Sequence, residues 1–204
     1  MLEALTGTGL AASAGLNAYI PLITMGVLAR YTDTIDPPTG WSWLSNGWTL
    51  AILALLLAIE VVADKVPVVD HVNDVVQTVV RPTAGGLAFG AGSSSETVTV
   101  SDPGSFFGSH QWVPIAAGVV IALVVHGVKA STRPVVNATT AGFGAPVAST
   151  AEDIGSVVMS VLAILLPVLV LLGLVLMVVA GVWLVRRRRR RRAFAASGAP
   201  RLSD

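Results

Sequence analysis

Long apolar runs separated by short polar joints make up most of this chain. The first is TGTGLAASAGLNAYIPLITMGVLA, Thr6 to Ala29, with small residues at Gly7, Ala11 and Gly15 and again at Gly9 and Ser13. That spacing predicts a helix that neighbours can approach closely, kinked at Pro21. A joint with Trp41, Trp43 and Trp48 follows, a residue type that gathers at a membrane–water boundary. The second run, Thr49 to Ala63, is aliphatic except for Glu60 near its end.

From Val66 to Gly92 the pattern changes. Val68, Val72, Val75, Val76 and Val79 share one face of a 3.6-residue period, while Asp70, Asp74, Gln77, Thr78 and Arg81 line the other. This predicts an amphipathic helix broken at Pro82. The joint Ser93 to Gln111 has no Lys or Arg, contains Glu96 and Asp102, and is expected in water with a short strand at Thr97 to Val100. A fourth run spans Trp112 to Ala130. A fifth, from Pro134 to Thr150, is Gly- and Thr-rich, and a last helix is expected from Ile154 to Val185 around Pro167.

Two of these segments look duplicated. ADKVPVVD, Ala63 to Asp70, and ASTRPVVN, Ala130 to Asn137, each follow an apolar run and open a more polar one. The pattern therefore predicts an all-α integral membrane fold of about six transmembrane helices, built on a degenerate two-fold repeat, with some helices broken or re-entrant. The repeat cores are 49–92 and 112–150, within a single membrane domain of residues 1–192; residues 193–204 are a disordered cytoplasmic tail. Polar segments of both repeats should be buried against each other, because ionisable groups facing lipid cost several kcal/mol.

Composition strengthens the membrane assignment. Hydrophobic residues are 53% of the chain and charged ones 12%, against about a quarter charged in soluble domains. The seven arginines Arg186, Arg187, Arg188, Arg189, Arg190, Arg191 and Arg192 form a basic anchor that retains the C-terminus in the cytoplasm and attracts anionic lipid. Applied to Lys65, Lys129 and Arg133, the same rule puts them on the cytoplasmic side and the acidic joint outside, favouring six full crossings with both termini inside. The expected setting is a membrane crossed several times. The lipid bilayer is the expected partner, nucleic acid is not, and the pattern leaves homo-oligomerisation undetermined.

Candidate chemistry is sparse. The absence of cysteine removes disulfides, thiolate metal sites and cysteine nucleophiles. No pattern for a cofactor, a metal or an enzyme's catalytic set is present. GTGLAA and GFGAPV follow no strand and are not nucleotide-binding loops. The candidates are a polar pathway formed by Glu60, Asp70, Asp74, Gln77, Arg81, His126 and Asn137, with Glu60 an ion or proton ligand and His126 at comparable depth. The plainer alternatives are Glu60 paired with Lys65, Lys129 or a hydroxyl, His126 hydrogen-bonded within the bundle, and Asp74 paired with Arg81. STAEDIG reads as a helix start, with Ser149 or Thr150 as cap and Glu152 or Asp153 in the first turn, and alternatively as a functional acid pair.

The segments LAASAGLNAYIPLI, LAIEVVADKVPVVDHVND and NATTAGFGAPVASTAEDIGSVVMSVLAILLP together resemble a bacterial family of short integral-membrane proteins described only as a domain of unknown function. The resemblance covers almost the whole chain. It implies family acids at Glu60, Asp70, Asp74, Glu152 and Asp153; where the family often has Asn-Pro, this chain has Ala145-Pro146. It implies a bacterial inner-membrane setting and brings no activity with it. The function expected is channel- or transporter-like, for a small solute or ion; the alternative is a non-transporting scaffold or assembly factor.

Overall fold

A computed structural model describes residues 2–35, 37, 39–65, 67–93, 112–140, 144–170, 172, 173, 175, 176 and 179. Among these, six α-helices and one 3-10 helix are present and the fold is all-α. The helices are α1 (Leu2–Leu16), α2 (Tyr19–Tyr31), α3 (Gly47–Ala63), α4 (Pro67–Gly92), α5 (Trp112–Thr140) and α6 (Gly144–Leu165), with the 3-10 helix at Thr39–Ser45. The chain divides into two units, Met1–Val170 and Leu171–Asp204. Of the second, the described residues are helical.

The first apolar run is not one kinked helix. It breaks at Asn17 and Ala18, upstream of Pro21, because the Asn17 side chain caps the start of α2. Its Oδ1 accepts the backbone N–H groups of Tyr19 at 3.1 Å and Ile20 at 3.3 Å, as an N-cap does. Pro21 then falls in the first turn of α2, where a missing N–H costs nothing. Helix α2 runs back along the bundle: Leu2, Glu3 and Leu10 of α1 share one cleft of about 190 Å³ with Met25, Thr34 and Ile35. The two helices, about 22 and 20 Å long at roughly 1.5 Å per residue, form a helical hairpin.

Helix α1 occupies the centre, packed against α4, α5 and α6. Eight of its fifteen residues are buried, nearly all small, as its glycine and alanine spacing predicts. The α4–α5 crossing is closer still. A Cβ at Gly85 would strike the Gly118 carbonyl oxygen at 2.8 Å, and Gly86 abuts Ile115 and Val119. At the α1–α6 contact Ser13 Oγ lies 2.7 Å from the hydroxyls of both Ser156 and Ser160. Ser13 and Ser156 also donate to each other's carbonyl oxygens, at 2.8 and 3.1 Å.

Several expected breaks are absent. Helix α4 continues through Pro82, and α5 continues through Pro134. Pro134 therefore starts no helix, whereas Pro67 does, so the two PVV segments are not equivalent helix starts. STAEDIG is also no helix start: α6 begins at Gly144, and Thr150 donates back to the Pro146 carbonyl inside the helix at 2.8 Å. The last run is interrupted at Leu166, just before Pro167. Trp41 is buried against Gly90, while Trp48 is exposed. The strand expected at Thr97–Val100 and the arginine run lie outside the described residues, as do the side chains of Asp70 and Asn137.

The exposed surface is apolar. On α4, Val72, Val75, Val76 and Val79 are 55–71% exposed, while Gln77 and Arg81 are buried. On α3 the two buried residues are Leu53 and Glu60, with Ile52, Leu55, Ile59 and Val62 facing outward. Two helices, α5 and α6, are long and apolar enough to cross a membrane, and α3 is a shorter apolar helix.

Candidate functional site

The polar face of α4 points inward and meets the end of α3. Glu60 Oε1 accepts from Arg81 Nη2 at 2.7 Å, with both side chains essentially inaccessible. Arg81 is the largest fully buried side chain described. The same guanidinium nitrogen lies 3.8 Å from Asp64 Oδ2. The pairings expected from sequence, Glu60 with Lys65 or Lys129 and Asp74 with Arg81, are replaced by Glu60–Arg81. Lys65 instead donates to the Val61 carbonyl at 3.0 Å.

Asp64 is the hub, and sequence reasoning misses it: directly after Ala63 it reads as a loop residue. As the C-cap of α3 it is carried into the bundle. Its Oδ2 accepts from Lys129 Nζ at 3.3 Å, Arg133 Nη2 at 3.2 Å and Ser149 Oγ at 3.3 Å, and its Oδ1 accepts from Asn73 Nδ2 at 2.7 Å. Lys129 and Arg133 both continue to Glu152 Oε2, at 2.9 and 2.8 Å. These two bases are thus buried ion-pair partners and not charges in a cytoplasmic loop. Their use as markers of orientation fails for that reason.

The hairpin tip completes the site. Lys129 Nζ donates to the Leu16 carbonyl at 3.1 Å, the orphan C-terminal end of α1, where the helix dipole favours a cation. Asn17, which caps α2, donates through Nδ2 to Asp153 Oδ1 at 3.0 Å. Glu152 and Asp153 therefore serve different partners, one the bases and the other the hairpin. Lys129 stands eleven residues before the end of α5, so the tip sits about 16 Å inside that end.

His126 extends the network along α4. Arg81 Nη1 can only donate, so His126 Nδ1, 3.3 Å away, accepts. The ring proton is then on Nε2, which donates to Thr78 Oγ1 at 3.2 Å, and the Thr78 hydroxyl donates in turn to the Asp74 carbonyl at 2.9 Å. Three described acceptor atoms in this region are buried without a hydrogen-bond partner: Glu60 Oε2, Asp74 Oδ1 and Gln77 Oε1. Tyr19, the first residue of α2, lies near enough to Glu60 and Gln77 to interact with both. Of the expected pathway residues, Glu60, Gln77, Arg81 and His126 come together with Asp74 beside them. Among the described residues no three His, Cys, Asp or Glu side chains gather as metal ligands.

Buried pairs of this kind are held by mutual satisfaction. Removing one charge leaves its partner desolvated and costs about 3–5 kcal/mol, while the intact pair adds little net stability. Glu60, Asp64, Arg81, Lys129 and Arg133 are all buried at the heart of a bundle whose outer faces are valine and leucine, which reverses the usual distribution of polarity. The motifs carried by these helices match a sequence family along residues 4–187. The chain belongs to the DUF4126 family, a domain of unknown function. No curated protein and no solved structure matches it. Within this family member, the matched span takes in every helix that builds the network.

Proposed function

We propose that this DUF4126 protein is a multi-pass protein of the bacterial inner membrane, with both termini cytoplasmic, and that its buried ion-pair network lines a route for a small solute or ion. The observation that carries the reading is the inverted polarity: Arg81, Glu60 and Asp64 inside, Val72 to Val79 and the α3 aliphatics outside. In lipid an apolar exterior costs nothing, and buried charge marks pathways and relays. The helical hairpin adds a second support. Each arm is shorter than the roughly 30 Å hydrocarbon core, and irregular backbone is tolerated at depth where protein or a polar cavity surrounds it. Broken helices meeting charged groups are a recurring way to build solute sites in transporters.

The hairpin also changes the expected orientation. Leu2, Gly92 and Ile164 line one cleft, so the N-terminus and the start of the acidic joint share a side. With cytoplasmic termini that joint lies inside, opposite to the positive-inside expectation. Because the chain lacks cysteine, single cysteines at Ser94 and Thr140 test this with a membrane-impermeant thiol reagent on intact cells. Labelling at Thr140 and not at Ser94 is expected; the converse result reverses the orientation.

Transport itself is tested with purified full-length protein, as current across planar bilayers and as proteoliposome swelling in isosmotic small solutes. Flux lost in a folded Asp64→Asn variant supports the route. A folded wild type that passes neither ions nor solutes removes it and leaves the scaffold reading. That second reading is favoured by the mutual pairing of Glu60, Asp64 and Glu152 with Arg81, Lys129 and Arg133, which would lock helices together.

A further inference from the structure

The Glu60 carboxylate is held on one oxygen only. Oε1 receives Arg81 at 2.7 Å, and Oε2 is buried with no partner. One turn before Arg81 on α4, Gln77 presents a second buried oxygen without a partner. A carboxylate and an amide oxygen both only accept, so neither can satisfy the other. A buried acceptor left unpaired costs about 1–3 kcal/mol; Arg81 Nε, a buried donor on the same guanidinium, also has no partner and makes no bond to Oε2, so Oε2 still calls for a donor. A single proton supplies it. On Oε2 it turns the unpartnered acceptor into a hydroxyl that can donate.

Arg81 has somewhere to go when this happens. Its Nη2 lies 3.8 Å from Asp64 Oδ2, so a small side-chain shift moves its charge from one carboxylate to the other. The charged and titratable groups facing Glu60 are Tyr19 from α2, Asp64 at the end of its own helix, Arg81 from α4 and Lys129 from α5. Arg81 is the one of these that touches the carboxylate.

We propose that Glu60 is an exchangeable-proton site, on which a proton and the Arg81 guanidinium alternate, with Arg81 transferring to Asp64 when the proton is bound. The step balances simply. One proton from water forms the Oε2–H bond, the Glu60 charge is neutralised, and Arg81 stays protonated and paired. The proposal rests on the pathway reading for its purpose, since it makes the proton the coupling ion of the route. It does not need that reading for its chemistry.

The test is infrared spectroscopy of the full chain in liposomes across a pH series, following the carbonyl stretch of protonated carboxylic acids. A band that rises with acidification, disappears in Glu60→Gln and persists in the surface variant Glu3→Gln is the expected result. Arg81→Gln removes the competitor and is expected to tighten proton binding about tenfold or more, since a cation at contact distance shifts a carboxyl by about one to three pH units. The double variant Glu60→Gln/Arg81→Gln, which leaves neither charge unpaired and should also lack the band, keeps the test decisive if Glu60→Gln alone fails to fold. No titrating band, a band that survives Glu60→Gln, or a midpoint unmoved by Arg81→Gln overturns the proposal. A titrating Glu60 in protein that passes no flux upholds the proton site and removes only the transport reading.

Discussion

The two halves of the α4–α5 pair are held together by opposite means. Toward the cleft, Gly85 meets the Gly118 backbone and the Ala122 methyl, and Gly86 meets Ile115 and Val119, so the two helices approach closely. Toward the other end, Arg81, His126, Lys129 and Arg133 stand in the same interface and reach outward to α1, α3 and α6. Small residues draw two helices into contact; long charged ones need room. The charged half is where the α1–α2 tip and the end of α3 insert, and the glycine half is the clamp from which that space opens. Packing carries one half and paired charge the other.

Substitutions in each half should therefore fail differently. The largest effect is expected from Arg81→Ala, which strands Glu60 and should cost about 3–5 kcal/mol in detergent unfolding. Adding Glu60→Ala should recover much of that loss, because paired groups are strongly non-additive. Simple additivity would show that the pair is not a unit. Gly85→Leu should come next, at about 3 kcal/mol, because the new side chain meets the Gly118 backbone, which cannot rotate away. No second substitution at a charged residue should rescue it, and rescue by one would erase the contrast between the halves.

Asn17→Ala probes the insert. It removes the cap of α2 and the partner of Asp153 together, and a loss of about 1–2 kcal/mol is expected in the same unfolding assay. Asn17→Ser should retain part of it, since a hydroxyl still caps. The smallest effect belongs to Ser156→Ala, at about 0.6 kcal/mol, typical of one interhelical hydrogen bond in a membrane bundle. A loss as large as that of Arg81→Ala would make the serine contact a third structural centre.

Much of the local character is legible in the sequence. The valine and polar faces of α4 follow from a 3.6-residue period: Val72, Val75, Val76 and Val79 face outward and Gln77 and Arg81 inward, while Thr78 is exposed. The small-residue spacing of α1 predicts close packing, and α1 is the central helix. Glu60, Gln77, Arg81 and His126 are conspicuous because polar residues are rare in this chain, and they do meet. Asp64 is inconspicuous because it adjoins Lys65 in a stretch that reads as a polar joint. The expected breaks at Pro82 and Pro134 do not occur because each proline removes one helix hydrogen bond, a loss that neighbouring packing can offset within a bundle.

By itself, then, the sequence determined that the fold is helical, which face of α4 carries the valines and which helix can be approached most closely. These depend on neighbours within a few turns. Tertiary structure decided that the first run folds back at Asn17, that Pro134 lies within a helix while Pro67 begins one, and that Lys129 and Arg133 are buried partners of Asp64 and Glu152. The buried pairing depends on groups 19 to 69 positions away, as the Arg133–Glu152 and Arg133–Asp64 contacts show, and Asn17 is fastened to Asp153, 136 positions on. Charge pairing and backbone capping are satisfied by whatever the fold brings within about 3 Å, and periodicity carries no record of that.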